Sequence, residues 1–392
     1  MTSTTEEEYR QLNLTEGGPT YQIERRVGLI RKNSPQIVRR ALLSICVTWL
    51  PLLIIAALQG NATGQHVAVP FWGDFAVHAR FLLALPLLLA AETVLGPRLA
   101  SAASHFVKSG LVLKEDFERF ASAVNRGLAL RDSKVAECLI VVLAFAVTAI
   151  TVHSTAIRVS TWSAVGSNLS LTWSGEWLVL FCIPLFQFVS LRWLWRLFLW
   201  SQFLWRMSKL KLNLMPTHPD EAGGLAFVGE AQRFFGIILF AYSVAAAGVL
   251  ANGVIYDRIP LPHFAGAIAA YAIMALIIIL APLLVFAGLL VKTKRQGLDE
   301  YGTLANEYTS AFNQKWIIGP RVPGDELLGT GDIQSLADLG NSFAYIEKMN
   351  ALPMGPRTPI QLVLASLLPM APLLLTVMPL KDILQLLFKF IL

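Results

Sequence analysis

The chain is short of charge and of cysteine. Only 15% of its 392 residues are Asp, Glu, Lys or Arg, against about 25% in a soluble domain. With 55% hydrophobic residues and a mean hydropathy of +0.57, that deficit argues against one large water-soluble core. Cys46, Cys138 and Cys182 lie in apolar runs with no CxxC spacing. Neither a disulfide framework nor a zinc site is expected, and all three read as small buried hydrophobes. The polar, acidic start (MTSTTEEEYR) gives no sign of a cleavable leader. P-loop, GxGxxG, HExxH and GxSxG phrases are missing as well, so no cofactor and no catalytic residue is expected.

What the chain has is long apolar runs. They fall at about 41–58, 80–97, 136–157, 177–197, 235–256, 266–291 and 359–379. Each approaches the roughly 20 residues that a helix needs to cross the hydrocarbon. The fold class read from this pattern is all-α, a polytopic transmembrane bundle of about seven spans with a small helical layer on one side. Its partner is the lipid bilayer. The last run carries Pro369 and Pro372 and reads as either a span or a re-entrant hairpin.

Orientation comes from Lys and Arg. With the N-terminus in the cytoplasm, 27 of the 32 fall on the cytoplasmic side, which is the positive-inside pattern. The formal charge of +6 then reflects basic loops facing anionic lipid rather than a nucleic-acid footprint. The expected organisation is an arm (1–40), two spans (41–97), cytoplasmic amphipathic helices (98–135) and spans three and four (136–197). A cytoplasmic belt and turn (198–234), spans five and six (235–291) and a cytoplasmic helical segment (292–358) follow. The last span and an interfacial C-terminal helix, LKDILQLLFKFIL, close the chain (359–392). Stripes at Phe117, Phe120 and Val124, at Tyr301, Leu304, Tyr308 and Phe312, and at Ile333, Leu336, Leu339, Phe343 and Ile346 predict amphipathic helices. They are expected to pack into one layer, with Asp332 as a cap, and to offer a protein partner a surface.

Between two apolar runs stands the phrase LMPTHPDEAGGLAF. Trp193, Trp195, Trp200 and Trp205 precede it, interleaved with Arg192, Arg196, Arg206, Lys209 and Lys211, and are expected to form a headgroup belt. Pro216 is expected to stop the preceding helix, and Pro219 to take the first position of the next. His218 leads in, Asp220 and Glu221 face the helix's positive end, and Gly223 and Gly224 allow a second turn or a close approach. His218 and Asp220 could instead bind a ligand or carry protons. The tripeptide His218-Pro219-Asp220 also matches the J-domain signature. That signature follows a long soluble basic helix, whereas here a membrane helix precedes it and Pro216 intervenes.

Three phrases, PTHPDEAGGLAFVG, DEYGTLANEYTSAFNQKWI and GTGDIQSLADLGNSFAYIEKM, resemble phrases found in this order in a group of uncharacterised bacterial multi-pass inner-membrane proteins. The resemblance implies a bacterial inner-membrane location and carries no activity, cofactor or catalytic residue.

Glu92, in LLAAETVLGPR, is the one carboxylate well inside an apolar run rather than at its edge. A charge at the bilayer centre costs about 2.5–3.5 kcal/mol on the lowest scale, so it needs a partner or water. Arg98, less than two turns away, is the expected partner, and an ion or proton site is the alternative. His153 near the outer end of the third span is a second ion-site candidate. Gln187 and Asn252 are expected to make interhelical hydrogen bonds, with Gln187 kept as a binding candidate. His66, His78, His153 and His263 fall on the outer side without any local ligand spacing, so no metal site is assigned.

Three functions stay open. The first is a small-solute or ion permease or channel that uses Glu92, His153 and the proline-bearing spans. The alternative is a membrane scaffold or sensory subunit presenting its cytoplasmic helices to a partner. The third is a membrane-embedded enzyme. The oligomeric state is not legible.

Overall fold

The computed structural model describes residues 12–29, 36–154, 160–165, 170–320 and 330–377. In chain order the principal helices are α1 (Pro19–Arg26), α2 (Ile37–Leu58), α3 (Phe75–Lys108), α4 (Phe117–Arg131), α5 (Lys134–His153), α6 (Trp173–Met207), α7 (Ala226–Ile255), α8 (Leu261–Ile318), α9 (Gly331–Lys348) and α10 (Arg357–Thr376). Of these, α2, α3, α5, α6, α7, α8 and α10 are long and apolar enough to cross a membrane. The protein is an all-α polytopic bundle and an integral membrane protein. A short hairpin, β1 (Ala164–Val165) with β2 (Ser170–Leu171), accompanies it.

Outward faces of the spans are greasy. On α5, Val142, Leu143, Phe145 and Ile150 are all exposed, a surface that only hydrocarbon solvates well. Cys46 and Cys138 also sit on exposed faces, and of the three cysteines only Cys182 is buried. In a span the outward side is as apolar as the core, so hydrophobicity did not tell the two apart.

Proline tunes the spans without unwinding them. Wide π turns at Ala79–Ala84 and Leu178–Cys182 lead directly into Pro86 and Pro184. Each proline lacks the N–H that would bond the carbonyl four residues back, and the wider turn takes up that slack. Pro282 and Pro372 lie in tighter 3-10 runs, Ala281–Phe286 and Leu368–Thr376. Among the described residues α10 is one helix of spanning length rather than a hairpin. Pro379 and the expected interfacial C-terminal helix lie outside the described residues.

One span far exceeds the membrane. α8 has 58 residues, about 87 Å at 1.5 Å per residue, so its polar second half projects far beyond the hydrocarbon. There α9 packs antiparallel against it. Lys294 Nζ donates to the carbonyls of Glu347 and Met349 at 2.7 and 3.0 Å, fixing the base of this arm. Near the tip, Asp332 accepts from Lys315 Nζ and Trp316 Nε1, both at 2.9 Å. Asp332 therefore ties two helices together, while Thr330 is the residue at the cap of α9. The hydrogen bond and charge of Lys315, with the Trp316 hydrogen bond, hold the Asp332 carboxyl below the usual range. The expected single layer is in fact split, because α4 packs on α6 while α8 packs on α9.

The centre of the bundle is α3, which packs on α2, α6 and α7, with Phe81, Leu85, Leu88, Trp193, Phe203 and Phe235 buried around it. Trp193 donates to the Leu88 carbonyl at 3.0 Å. Trp200 donates to Gln232 Oε1 at 2.8 Å, and Gln232 donates onward to the Ile279 carbonyl, so one polar chain links α6, α7 and α8. The headgroup-belt expectation fails for Trp193, Trp200, Arg192 and Arg196, all buried. It suits Trp205, which is exposed with Lys209 5.7 Å over its ring.

At the bundle end away from these basic residues, Asp74 accepts from Trp162 Nε1 and Asn252 Nδ2, each at 2.8 Å. Asn252 thus makes the interhelical bond expected of it. Trp49 donates to His78 Nδ1 at 2.9 Å, and Phe71 stands edge-on to Trp162 at 5.0 Å. These rings pack together at that end.

Candidate functional site

Glu92 lies 17 residues into α3, roughly 25 Å along the helix from its start. That puts it toward the basic end of the bundle. Its partner is not Arg98, which is exposed and stacks its guanidinium 4.8 Å over the Phe234 ring. Instead Arg40 of α2 donates to Glu92 Oε2 at 2.6 Å, and Arg196 of α6 stands 2.7 Å from Oε1. Arg192, one turn earlier on α6, comes to 3.8 Å of the same Oε1.

A second carboxylate closes the figure. Glu24 of α1 sits 2.9 Å from the Arg40 nitrogen that also serves Glu92, and 3.8 Å from Arg192. Glu24, Arg40, Glu92 and Arg192 form a ring of alternating sign, with Arg196 attached at Glu92. Arg40, Glu92, Arg192 and Arg196 are all buried. Aromatic faces support the cations, with Arg196 4.7 Å over Trp193 and Arg192 5.7 Å over Phe188. Glu24 lies outside the spans. Burial pushes its carboxyl above the usual range, with Arg40 opposing that shift and Glu92 adding to it.

The N-terminal segment that carries Glu24 is knit to the bundle. Leu12, Leu14 and Thr15 are buried. Asn13 Oδ1 accepts from the Thr15 and Glu16 amides at 3.0 Å. Gly18 N donates to Asp132 at 2.8 Å, and Thr20 N to Glu137 at 3.1 Å. Gly96 of α3 leaves room for the Thr15 side chain, because a Cβ there would collide with the Thr15 hydroxyl. A cavity of about 30 Å³ remains between Gly17, Gly18 and Arg131 on one side and Arg192 and Arg196 on the other. It has room for a water or two. Among the cavities found between the described residues, this one approaches the ring, and Glu92 does not line it.

The other sequence candidates lie apart from the ring. Gln187 is half-buried on α6, nearer the opposite end, and His153 is exposed at the far end of α5. His218 and Asp220 are in the loop between α6 and α7, with His218 Nδ1 2.8 Å from Asp220 Oδ1. Asp220 Oδ1 also accepts from Ala222 N and Gly224 N at 2.9 and 3.1 Å, and Oδ2 from Ala226 N at 3.0 Å. Burial opposes the charge on Asp220, but the hydrogen bonds from the Ala226, Ala222 and Gly224 amides outweigh it and hold its carboxyl below the usual range.

Two details of this turn differ from expectation. The helix after it begins at Ala226, not Pro219, since Glu221, Gly223 and Gly224 adopt positive φ of 55°, 64° and 94°. The helix before it ends at Met207, well short of Pro216. Its continuation is held extended, with Lys211 N donating to Asp116 Oδ2 at 3.1 Å and Asn213 N to the Leu111 carbonyl at 2.8 Å. Asp220→Ala is expected to destabilise the protein by about 1–3 kcal/mol, with a smaller loss for Asn, which keeps an acceptor. Since the folded-state pKa is depressed, the Asp220 contribution is fully present above the usual Asp range and is lost as pH falls below that range through the folded-state value. Thermal unfolding of both variants from pH 7 down to pH 3 checks this, the gap between wild type and Asp220→Asn closing in acid.

Among the described residues no three His, Cys, Asp or Glu side chains gather as metal ligands. No protein family, curated protein or solved structure matches the chain. The site is therefore read from its own chemistry. Sequence reasoning found Glu92 but missed Glu24, Arg40, Arg192 and Arg196 as its company. One signal was available: Arg192 and Arg196 are four apart, on one helical face, and a lone carboxylate in an apolar run requires cations.

Proposed function

We propose that this integral membrane protein is a scaffold or sensory subunit of a bacterial inner membrane, with its N-terminus and the α8–α9 arm in the cytoplasm. The arm is the observation that carries this reading. It is continuous with a span, braced at base and tip, and mostly exposed. It also shows Leu304, Ile317, Ile318, Ile333 and Tyr345 to solvent, with Ile317 and Ile318 at 70% and 73% exposure. Apolar side chains on a rigid projecting element suit a helical partner more than they suit water. Orientation rests on the placement of Lys and Arg.

A photo-crosslinker at Ile333 in native membranes is expected to trap one discrete adduct. Ile317→Asp with Ile318→Asp should abolish that adduct while membrane insertion stays normal. An adduct that survives those changes, or the absence of any, counts against the reading.

A small-solute or ion permease or channel is the second reading, favoured by the water-sized cavity beside Arg192 and Arg196. Against it, both Glu92 oxygens are engaged by guanidinium groups, so a conducting state would require the ring to open. The third, an enzyme using His218 and Asp220, has to contend with three amides already bound to Asp220.

A further inference from the structure

The two carboxylates of the ring are not equivalent. Glu92 is part of a span, and its two oxygens are taken by Arg40 and Arg196 at hydrogen-bonding distance. Glu24 comes from outside the spans, on an eight-residue helix. It reaches Arg40 at 2.9 Å but Arg192 only at 3.8 Å. Arg192 makes no carboxylate contact closer than that to either partner. Among the described residues the spans thus offer these three guanidiniums one paired carboxylate, Glu92, with Glu137 of α5 lining the cavity beside Arg192 and Arg196 without an ion pair to them. Such an excess of positive charge in a low-dielectric setting requires an anion. The N-terminal segment supplies one and also walls off the cavity beside Arg192 and Arg196 with Gly17 and Gly18.

We infer that Arg40, Arg192 and Arg196 form a binding site for a compact oxyanion of phosphate or carboxylate size, and that Glu24 is a tethered stand-in for that ligand. Guanidinium groups suit such an ion because their N–H donors match the spacing of its oxygens. The seat is shaped for a group of this size, since a carboxylate already bridges Arg40 and Arg192 there. Ligand and Glu24 compete for the same cations, so anion binding and undocking of residues 12–26 are linked. An oxyanion from solution would enter along the path the segment vacates. A lipid phosphomonoester would reach the same cations from the headgroup layer at the basic end. Burial already works against the charge on Glu24, which makes it the weaker tenant of the two carboxylates.

The test uses the full chain in phosphatidylcholine nanodiscs. Inorganic phosphate is the probe, and chloride at matched ionic strength is the control. Glu24→Gln is expected to show a saturable rise in unfolding temperature with phosphate over chloride. Adding Arg192→Gln should remove that rise. Wild type should respond with an apparent affinity weaker by about tenfold or more, because its competent state is only fractionally populated.

Should Glu24→Gln fail to fold, the wild-type protein gives a second readout. Trypsin cleavage after Arg25 and Arg26 should accelerate saturably with phosphate but not with chloride, as the segment leaves its seat. Nanodiscs containing phosphatidic acid, without free phosphate, separate the sources. Stabilisation of Glu24→Gln there alone identifies a lipid headgroup, whereas stabilisation by phosphate in phosphatidylcholine identifies a solute. A Glu24→Gln protein that neither phosphate over chloride nor phosphatidic acid stabilises overturns the site. So does a stabilisation by phosphate or phosphatidic acid that survives Arg192→Gln, or wild-type cleavage that neither of the two accelerates.

Discussion

Glu92→Gln is expected to lower the unfolding free energy by about 3–5 kcal/mol, the range for removing one member of a buried ion pair. Arg40 and Arg196 meet on this carboxylate, and α2, α3 and α6 meet through it. Without its charge, three buried guanidiniums would share Glu24 alone, a group whose own ionisation burial already disfavours. Arg98→Gln is the matched control. That side chain is exposed and, among the described residues, keeps a ring contact with Phe234, worth about 0.5–1 kcal/mol. Reversible unfolding in mixed micelles compares the two. A Glu92→Gln protein no less stable than Arg98→Gln would mean that the ring does not hold the spans together.

The second large effect belongs to Gly248 on α7. A Cβ there would lie 2.6 Å from both the Phe75 carbonyl oxygen and the Ala79 Cβ, and 3.0 Å from the Ala76 Cα. These are mostly backbone atoms at the start of α3, where the chain turns wide before Pro86, so they cannot simply rotate aside. Close backbone approach at a small residue is how membrane helices gain packing without a hydrophobic drive. Gly248→Val is expected to cost about 1–3 kcal/mol through overpacking. It should also disturb Asn252, one turn on, and with it the Asp74 hydrogen bonds. Gly288→Ala meets nothing within 4 Å and should leave the protein as stable or slightly more so. Unfolding temperatures of the two variants decide the point, and equal losses would show that α3 and α7 do not approach this closely.

The seven spans were legible because apolar runs of spanning length have few other uses. Their ends were not. α3 and α6 run eleven and ten residues beyond the apolar windows that end at 97 and 197, because an amphipathic continuation is still helix. The ring was hidden for another reason, since Arg192 and Arg196, at the end of the fourth apolar run, were assigned to a headgroup belt. Arg40 was hidden differently. It pairs with Glu92 across 52 positions of sequence, and only the packing of α2 on α3 brings the two together. In the turn, Asp220 was expected to face the positive end of a helix begun at Pro219. The helix it serves begins six residues after Asp220, because positive φ at Glu221, Gly223 and Gly224 delays it. The stripes on α8 and α9 were read correctly as helical, while their pairing into a separate arm depended on Lys294 and Asp332, whose contacts no periodicity encodes.

The most direct measurement is sidedness. Gln65→Cys, in the loop between α2 and α3, and Ser335→Cys, on α9, are both exposed positions. Each is introduced singly after the three native cysteines are replaced by alanine. An impermeant maleimide is then applied to intact cells and to inverted vesicles. Gln65→Cys should label only in cells, and Ser335→Cys only in inverted vesicles. Labelling of both from the same side would contradict the seven-span layout and, with it, a cytoplasmic arm above a buried ion ring.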